Sequence, residues 1–461
     1  MDIVIKAKEL LRKLEVNRAV FYSIMSIGWT ALAGPLTMLV ITNWLSAEEQ
    51  GYYYTFSSVL ALQVFVELGL ATVIVQVTSH EWAFLKRDEI GTLGGDTRAL
   101  SRLASLARFS LKWYFVCGIV VMGVLSIGGY LFFMAKPHPE ISWQIPWFLL
   151  CFVAGLALMM SPLFSIIEGC NQVASIYSFR FVQGALNSLA VIISMFLGFG
   201  LYALAIAALV RFASGAVFIG WKHYRTIIQI LSFKIIDRIN WSKEVWPFQW
   251  RIGISWLSGY FIFSMFTPVM FYYHGAKVAG QMGMTWAIVT MVGSFSYAWI
   301  NTRMPQLGIL IAREQYVELD CLFNRLFRIT VGIAALASVV AWFVIYGLHI
   351  SGLKIGDRLL SMLPVTLFLI HRILNVMIDN MALYLRAHKR EPMMIPSVIG
   401  AILAGTSTWL LGAAYGPTGA AAGFLALGAI WGIPSCYVVF SSCRKKWHKQ
   451  PMEVVNGYAI S

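Results

Sequence analysis

About twelve apolar runs, most near or beyond the twenty residues that cross a bilayer as a helix, succeed one another along this chain. They fall near 19–44, 52–78, 111–135, 145–167, 176–199, 203–221, 246–273, 279–311, 327–350, 358–385, 393–414 and 418–441. Hydrocarbon offers no water to backbone N–H and C=O groups, so only helices and closed barrels can span it. Strand-like alternation broken by turns every ten residues or so is absent, which removes the barrel. A soluble fold is excluded as well: 12% of the residues are charged and 59% hydrophobic, against about 25% charged in a soluble domain. The expectation is an all-α polytopic membrane protein of about twelve helices.

The net charge of +14 is distributed by position. Lys and Arg gather before the first run, in the 86–112 and 222–251 segments, near 313–328, at 386–390 and at the C-terminus; the alternate loops hold only Lys136, Lys277, Lys354 and Arg358. This asymmetry is the positive-inside pattern, and it predicts a multi-pass membrane protein with both termini cytoplasmic. The basicity is therefore topological, and no nucleic-acid partner is expected. The six cysteines (Cys117, Cys151, Cys170, Cys321, Cys436, Cys443) lie in runs or at cytoplasmic ends without a C-x-x-C. They predict neither a disulfide framework nor a metal site. No G-x-x-x-x-G-K-[ST] occurs, since Gly91-Thr-Leu-Gly94-Gly95 lacks the lysine. No cofactor is expected, and transport energy must come from ions, membrane potential or the cargo's own gradient.

Two basic segments, 2–16 and 222–244, mix Ile, Leu and Phe with Lys and Arg. They read as amphipathic helices drawn to anionic membrane lipids. The second lies midway, suggesting a six-helix bundle over 1–225, a linker over 226–245 and a second bundle over 246–461. The halves echo one another: Leu45–Gly51 resembles Gly275–Gly280, and Gly198–Ala205 resembles Tyr415–Ala422. With six runs in each half, the copies share an orientation and relate by a pseudo-twofold axis along the membrane normal, as in transporters whose site lies at the repeat interface.

A cation at the centre of a membrane helix costs about 2.5–3.5 kcal/mol, so intramembrane arginines turn toward water or an anion. Arg180, Arg211, Arg303 and Arg372 are candidates to line a cationic cavity. Helical spacing groups Ser296, Trp299, Arg303 and Gln306 on one stripe, Arg372, Asn375 and Asp379 on another with His371 beside it, and Arg180, Gln183 and Asn187 on a third. Arginine's planar fork matches phosphate oxygens, which a lipid diphosphate offers in number. Glu67 and Asp379 are candidates for coupling a proton or sodium ion. Trp250, Trp256 and Trp299 are candidates for stacking on sugars; tryptophans near helix ends also form interfacial belts.

Leu45–Gly51, Glu67-Leu68-Gly69-Leu70, Trp246-Pro-Phe-Gln-Trp-Arg251, Ala279-Gly-Gln-Met-Gly283, Ile300-Asn-Thr-Arg303-Met-Pro305 and Gly416-Pro-Thr-Gly419-Ala-Ala together resemble the bacterial polysaccharide exporters and O-antigen flippases of the multidrug/oligosaccharidyl-lipid/polysaccharide (MOP) superfamily. The resemblance covers nearly the whole chain. It implies two helical bundles around a cationic cavity, alternating access, and no enzymatic activity. The implied location is the bacterial cytoplasmic (inner) membrane. The implied cargo is a lipid-diphosphate-linked oligosaccharide for polysaccharide or lipopolysaccharide synthesis, moved from the cytoplasmic to the outer leaflet. Association with other polysaccharide-assembly proteins follows from the same likeness. Two alternatives stay open: an ion-coupled drug exporter of the same fold, which the excess of internal arginines disfavours, and a membrane glycan polymerase, which the short outer loops disfavour.

Overall fold

A computed structural model describes residues 18–88, 92–136, 138–301, 303–388 and 390–448. The segment 2–16 lies outside the described residues. Each of the twelve apolar runs lies on helix. They are built from α1 (Arg18–Trp44), α2 (Ala47–Leu60), α3 (Val64–Glu67), α4 (Leu70–Trp82), α5 (Thr97–Met134), α6 (Gln144–Gly169), α7 (Val173–Phe196), α8 (Tyr202–Phe218), α9 (Tyr224–Ser232), α10 (Trp246–Phe263), α11 (Phe266–His274), α12 (Ala276–Asn301), α13 (Met304–Ala312), α14 (Tyr316–Ile350), α15 (Lys354–Asp357), α16 (Met362–Ala387), α17 (Met394–Leu427) and α18 (Ile433–Trp447). Among the described residues, seven helical stretches are long and apolar enough to cross a membrane, and nine if two bent pairs count as one crossing each. The remaining runs are α1, the pair α12–α13, and the second half of the 54-residue stretch Met394–Trp447. That stretch divides at Gly416, where φ 62 and ψ −150 take the chain out of the helix. The molecule is an all-α polytopic membrane protein. Its outward faces agree: along α5, Phe115, Val116, Ile119, Val124, Ile127 and Leu131 are all more than half exposed, the arrangement expected where lipid is the solvent.

The interruptions have local causes. Pro268 has no N–H to offer the Ser264 carbonyl, and the chain bends 42° between α10 and α11. Pro305 likewise cannot serve Asn301, so α12 stops there and α13 restarts with Pro305 in its first turn. The second run bends 46° between α2–α3 and α4. Here Leu68 (φ 50) and Gly69 (φ 64) both adopt left-handed backbone, and only the second does so without steric cost.

The chain forms two compact units: residues 1–260 with 275–280, and residues 261–274 with 281–461. In the first, α5 packs on α6 and α1 on α7, with α8 against α6 and α7. Gly118 and Gly155 let α5 and α6 approach closely, each leaving space that a Cβ would fill within 2.8 Å of the other's carbonyl. Tyr52, Phe56, Phe133, Trp143 and Trp147 form a buried aromatic cluster near one end. The two segments read as echoes, Leu45–Gly51 and Gly275–Gly280, meet inside this unit. A Cβ on Gly51 would run into the Ala276 carbonyl, and one on Gly280 would lie 3.2 Å from the Ala47 carbonyl. Gln50 Nε2 donates to the Gly280 carbonyl at 2.9 Å. Because equal spacing separates Ala47 from Ala276 and Gly51 from Gly280, the contact is reciprocal.

The 222–244 segment is only partly helical. After α9 it runs without regular helix to Asn240, and the buried face of α9, Ile227 and Ile230, packs on protein. Ser101 Oγ accepts from Ile236 N at 2.7 Å and Asp237 N at 2.8 Å. Arg108 donates to the carbonyls of Leu231 and Phe233. Gln229 pairs with both backbone groups of Leu93 on a small hairpin, β1 (Leu85–Arg87) and β2 (Leu93–Gly95), which periodicity did not anticipate. Arg98–Asp237 and Arg102–Glu244 ion pairs complete the attachment. The Arg98 guanidinium holds the Asp237 carboxyl below its ordinary range.

In the second unit α14 packs on α16, which also meets α17 and α18, while α11 lies on α17. Phe266, Trp286, Phe368 and Phe424 form one aromatic cluster. Leu307, Leu319, Phe323, Tyr384 and Phe440 belong to a second, mixed aliphatic and aromatic core.

Candidate functional site

Arg180 on α7 and Arg211 on α8 come together. Both line a cavity of about 190 Å³ in the first unit, with Gln183, Ser161, Ser165 and Ala71 also in its wall. Gln183 Nε2 donates to the Arg211 carbonyl at 3.0 Å, fixing α7 against α8 at this depth. Glu168 Oε2 accepts from Arg180 at 2.7 Å. The carboxylate side chain is 15% exposed while that of its arginine is 51% exposed. Arg211 has no ion pair among the described residues, so the cavity wall retains one uncompensated positive charge.

Glu67 ends α3 at the break of the second run. Tyr114 donates to its Oε1 at 3.0 Å, and Cys117 Sγ lies 3.6 Å from the neighbouring Val66 carbonyl, a carbonyl whose helical acceptor role the break interrupts. A Cβ on Gly69 would meet Ile252 at 2.5 Å and the Trp256 ring at 3.3 Å. The carboxyl therefore sits at a kink packed on α10, with no basic partner among the described residues. Trp256 is 48% exposed beside this kink. Trp250 is exposed under the Arg251 guanidinium, whose carbon lies 5.5 Å from the ring centroid.

In the second unit Arg372 and Asn375 share the face expected of them. Arg372 NH1 donates to Asn375 Oδ1 at 2.8 Å and both side chains are buried. Asp379, one turn further, makes no ion pair with Arg372 among the described residues. His371 packs its ring 3.7 Å from that of Phe424.

The stripe expected through Ser296, Trp299, Arg303 and Gln306 does not hold. Ser296 is fully buried, bonding back to Val292, whereas Trp299 and Arg303 are exposed. The departure is Ser296, which turns inward on the same helix, α12, that carries the exposed Trp299. Arg303, which caps α13 after the stop before Pro305, is exposed like Trp299 and Gln306 and donates to Gln306 Oε1 at 3.1 Å. The residues that sequence reasoning missed are those defined by a distant neighbour. Tyr114 partners Glu67, and Tyr297 and Gly293 surround Arg372.

No family model matches the chain, and no curated protein matches it. Solved structures do. An inward-facing multidrug resistance MATE family transporter of the MOP superfamily aligns at TM-score 0.69 and 13% identity, covering 91% of this chain and 95% of its own. The lipid II flippase MurJ, in an inward closed conformation, aligns at 0.67 and 14%, covering 93% and 89%. The MATE multidrug transporter DinF-BH aligns at 0.58 and 13%, covering 96% and 97%. At such identities the likeness is one of fold, and it extends over nearly the entire length: this chain has the fold shared by these MATE transporters and the lipid II flippase MurJ.

Proposed function

We propose that this protein is a flippase that moves a lipid-diphosphate-linked oligosaccharide from the cytoplasmic to the outer leaflet of a bacterial inner membrane by alternating access. The observation that carries this reading is the pairing of Arg180 and Arg211 in one cavity where, among the described residues, the one ion pair is that of Glu168 with Arg180. A wall with surplus guanidinium charge attracts phosphate oxygens and repels cations. Similarity of fold to a lipid II flippase supports the class of cargo. Arg303 and Arg372 supply further positive charge, and Trp250, Trp256 and Trp299 present exposed ring surface suited to sugars.

The MATE neighbours favour a second reading, an exporter of drug-like molecules. A carboxyl at a helix break, Glu67, suits proton or sodium coupling in either case. Proteoliposomes separate the two. With a fluorescent diphosphate-linked oligosaccharide lipid as cargo, Arg211→Ala should slow flipping about tenfold, the loss of one charge-assisted hydrogen bond, without changing the amount of protein incorporated. Transport of a cationic dye by the wild type, with the glycolipid left in place and Arg211→Ala without effect, would overturn the flippase reading.

A further inference from the structure

Arg180, Arg211 and Arg303 are exposed, but Arg372 is only 8% exposed. Its hydrogen-bonded partner is the neutral Asn375 carbonyl oxygen. Among the described residues its Nε is buried without a partner, and so is the hydroxyl of Tyr297, over whose ring the guanidinium lies at 5.4 Å. The guanidinium fills a notch left by Gly293 on α12, where a Cβ would collide with it. No carboxylate among the described residues pairs with it.

The described residues alone leave this charge uncompensated. Arginine does not deprotonate inside proteins, so it cannot escape burial by losing its charge. Desolvating an unpaired ion costs several kcal/mol even after relaxation. A ring face returns about 0.5–2 kcal/mol, and one neutral hydrogen bond adds a comparable amount. The described residues supply no negative charge here, and they leave two donors, the Arg372 Nε–H and the Tyr297 O–H, to be satisfied.

We propose that Arg372, Tyr297, Asn375 and the Gly293 notch form an anion-binding site inside the second unit, taking a small inorganic anion or the phosphate of a lipid. Gly293 gives the guanidinium room, Asn375 fixes its plane by occupying NH1, and Nε with the tyrosine hydroxyl is left for the ligand. This site shares no residue with the Arg180–Arg211 cavity and stands whether or not the flippase reading holds.

The test uses the full-length protein purified in detergent in sodium gluconate. Its thermal unfolding is followed as chloride, inorganic phosphate or dodecyl phosphate replaces gluconate at fixed ionic strength. The expected result is a saturable rise in unfolding temperature with at least one of them. A response to chloride or inorganic phosphate identifies an ion from solution, and a response to dodecyl phosphate alone identifies a lipid phosphate. Tyr297→Phe should raise the half-saturating concentration about tenfold, as for a lost hydrogen bond to a charged group. Gly293→Ala, which keeps the arginine but denies it the notch, and Arg372→Gln should abolish the rise. If Arg372→Gln does not fold, the tyrosine and glycine variants decide. The proposal fails if no anion stabilises the wild type, or if Tyr297→Phe and Gly293→Ala respond as the wild type does.

Discussion

At the scale of single residues, the question is whether each intramembrane arginine serves a ligand or merely a neighbouring acid. Arg180 is the sharpest case, because Glu168 already pairs with it at 2.7 Å. Arg180→Ala would leave a largely buried carboxylate without its cation, a loss of about 1–3 kcal/mol. Adding Glu168→Gln removes the stranded charge and should restore most of the thermal stability. If the arginine binds cargo, that double variant stays inactive in flipping; if it recovers transport as well, the pair is structural glue. Sequence spacing found Arg372 with Asn375, since three residues along a continuous helix share a face. It failed at Ser296, which is buried while Trp299, three residues on along the same helix, is exposed: spacing gives a shared sector of a helix and not which edge of it the protein covers. The Gly293 notch was illegible for another reason: a glycine's empty space has meaning only once the guanidinium that fills it is known.

Among the elements, the helices were legible because lipid imposes one simple rule on length and apolarity. Their breaks at Pro268 and Pro305 followed from the missing N–H. The left-handed pair at Leu68 and Gly69 had no such signature, as leucine rarely adopts that backbone. The 222–244 segment was the least legible, because its conformation is set by α5 rather than by its own periodicity. Ser101 supplies the central contact: fully buried, it accepts two backbone N–H groups and donates to the Asp237 carbonyl at 3.0 Å. Ser101→Ala should strand those donors at a cost of about 1–3 kcal/mol and loosen the stretch from Phe233 to Asn240. Limited proteolysis of membrane vesicles would report this as roughly tenfold faster cleavage there, since about 1.4 kcal/mol corresponds to a factor of ten. Unchanged cleavage would mean that the arginine contacts alone hold the segment.

For the whole molecule, the balance of intramembrane charge is the property that bears on energy supply. Arg180, Arg211, Arg303 and Arg372 stand against Glu67, Glu168 and Asp379, and Glu168 is already committed to Arg180. A carrier with such an interior suits an anionic cargo, and an anion leaving a negative compartment gains about 2.3 kcal/mol per charge per 100 mV. On the proposed reading membrane potential alone can then drive outward movement, and Glu67 is the proposed site of a proton- or sodium-dependent contribution. In proteoliposomes carrying the glycolipid on the leaflet of departure, a potential negative on that side should raise the initial flipping rate, and reversing its sign should lower it. Glu67→Gln should leave this voltage response intact while removing any response to an imposed pH or sodium gradient. A rate indifferent to voltage in the wild type would show that no net negative charge crosses with the cargo, and the arginine surplus would then need another explanation.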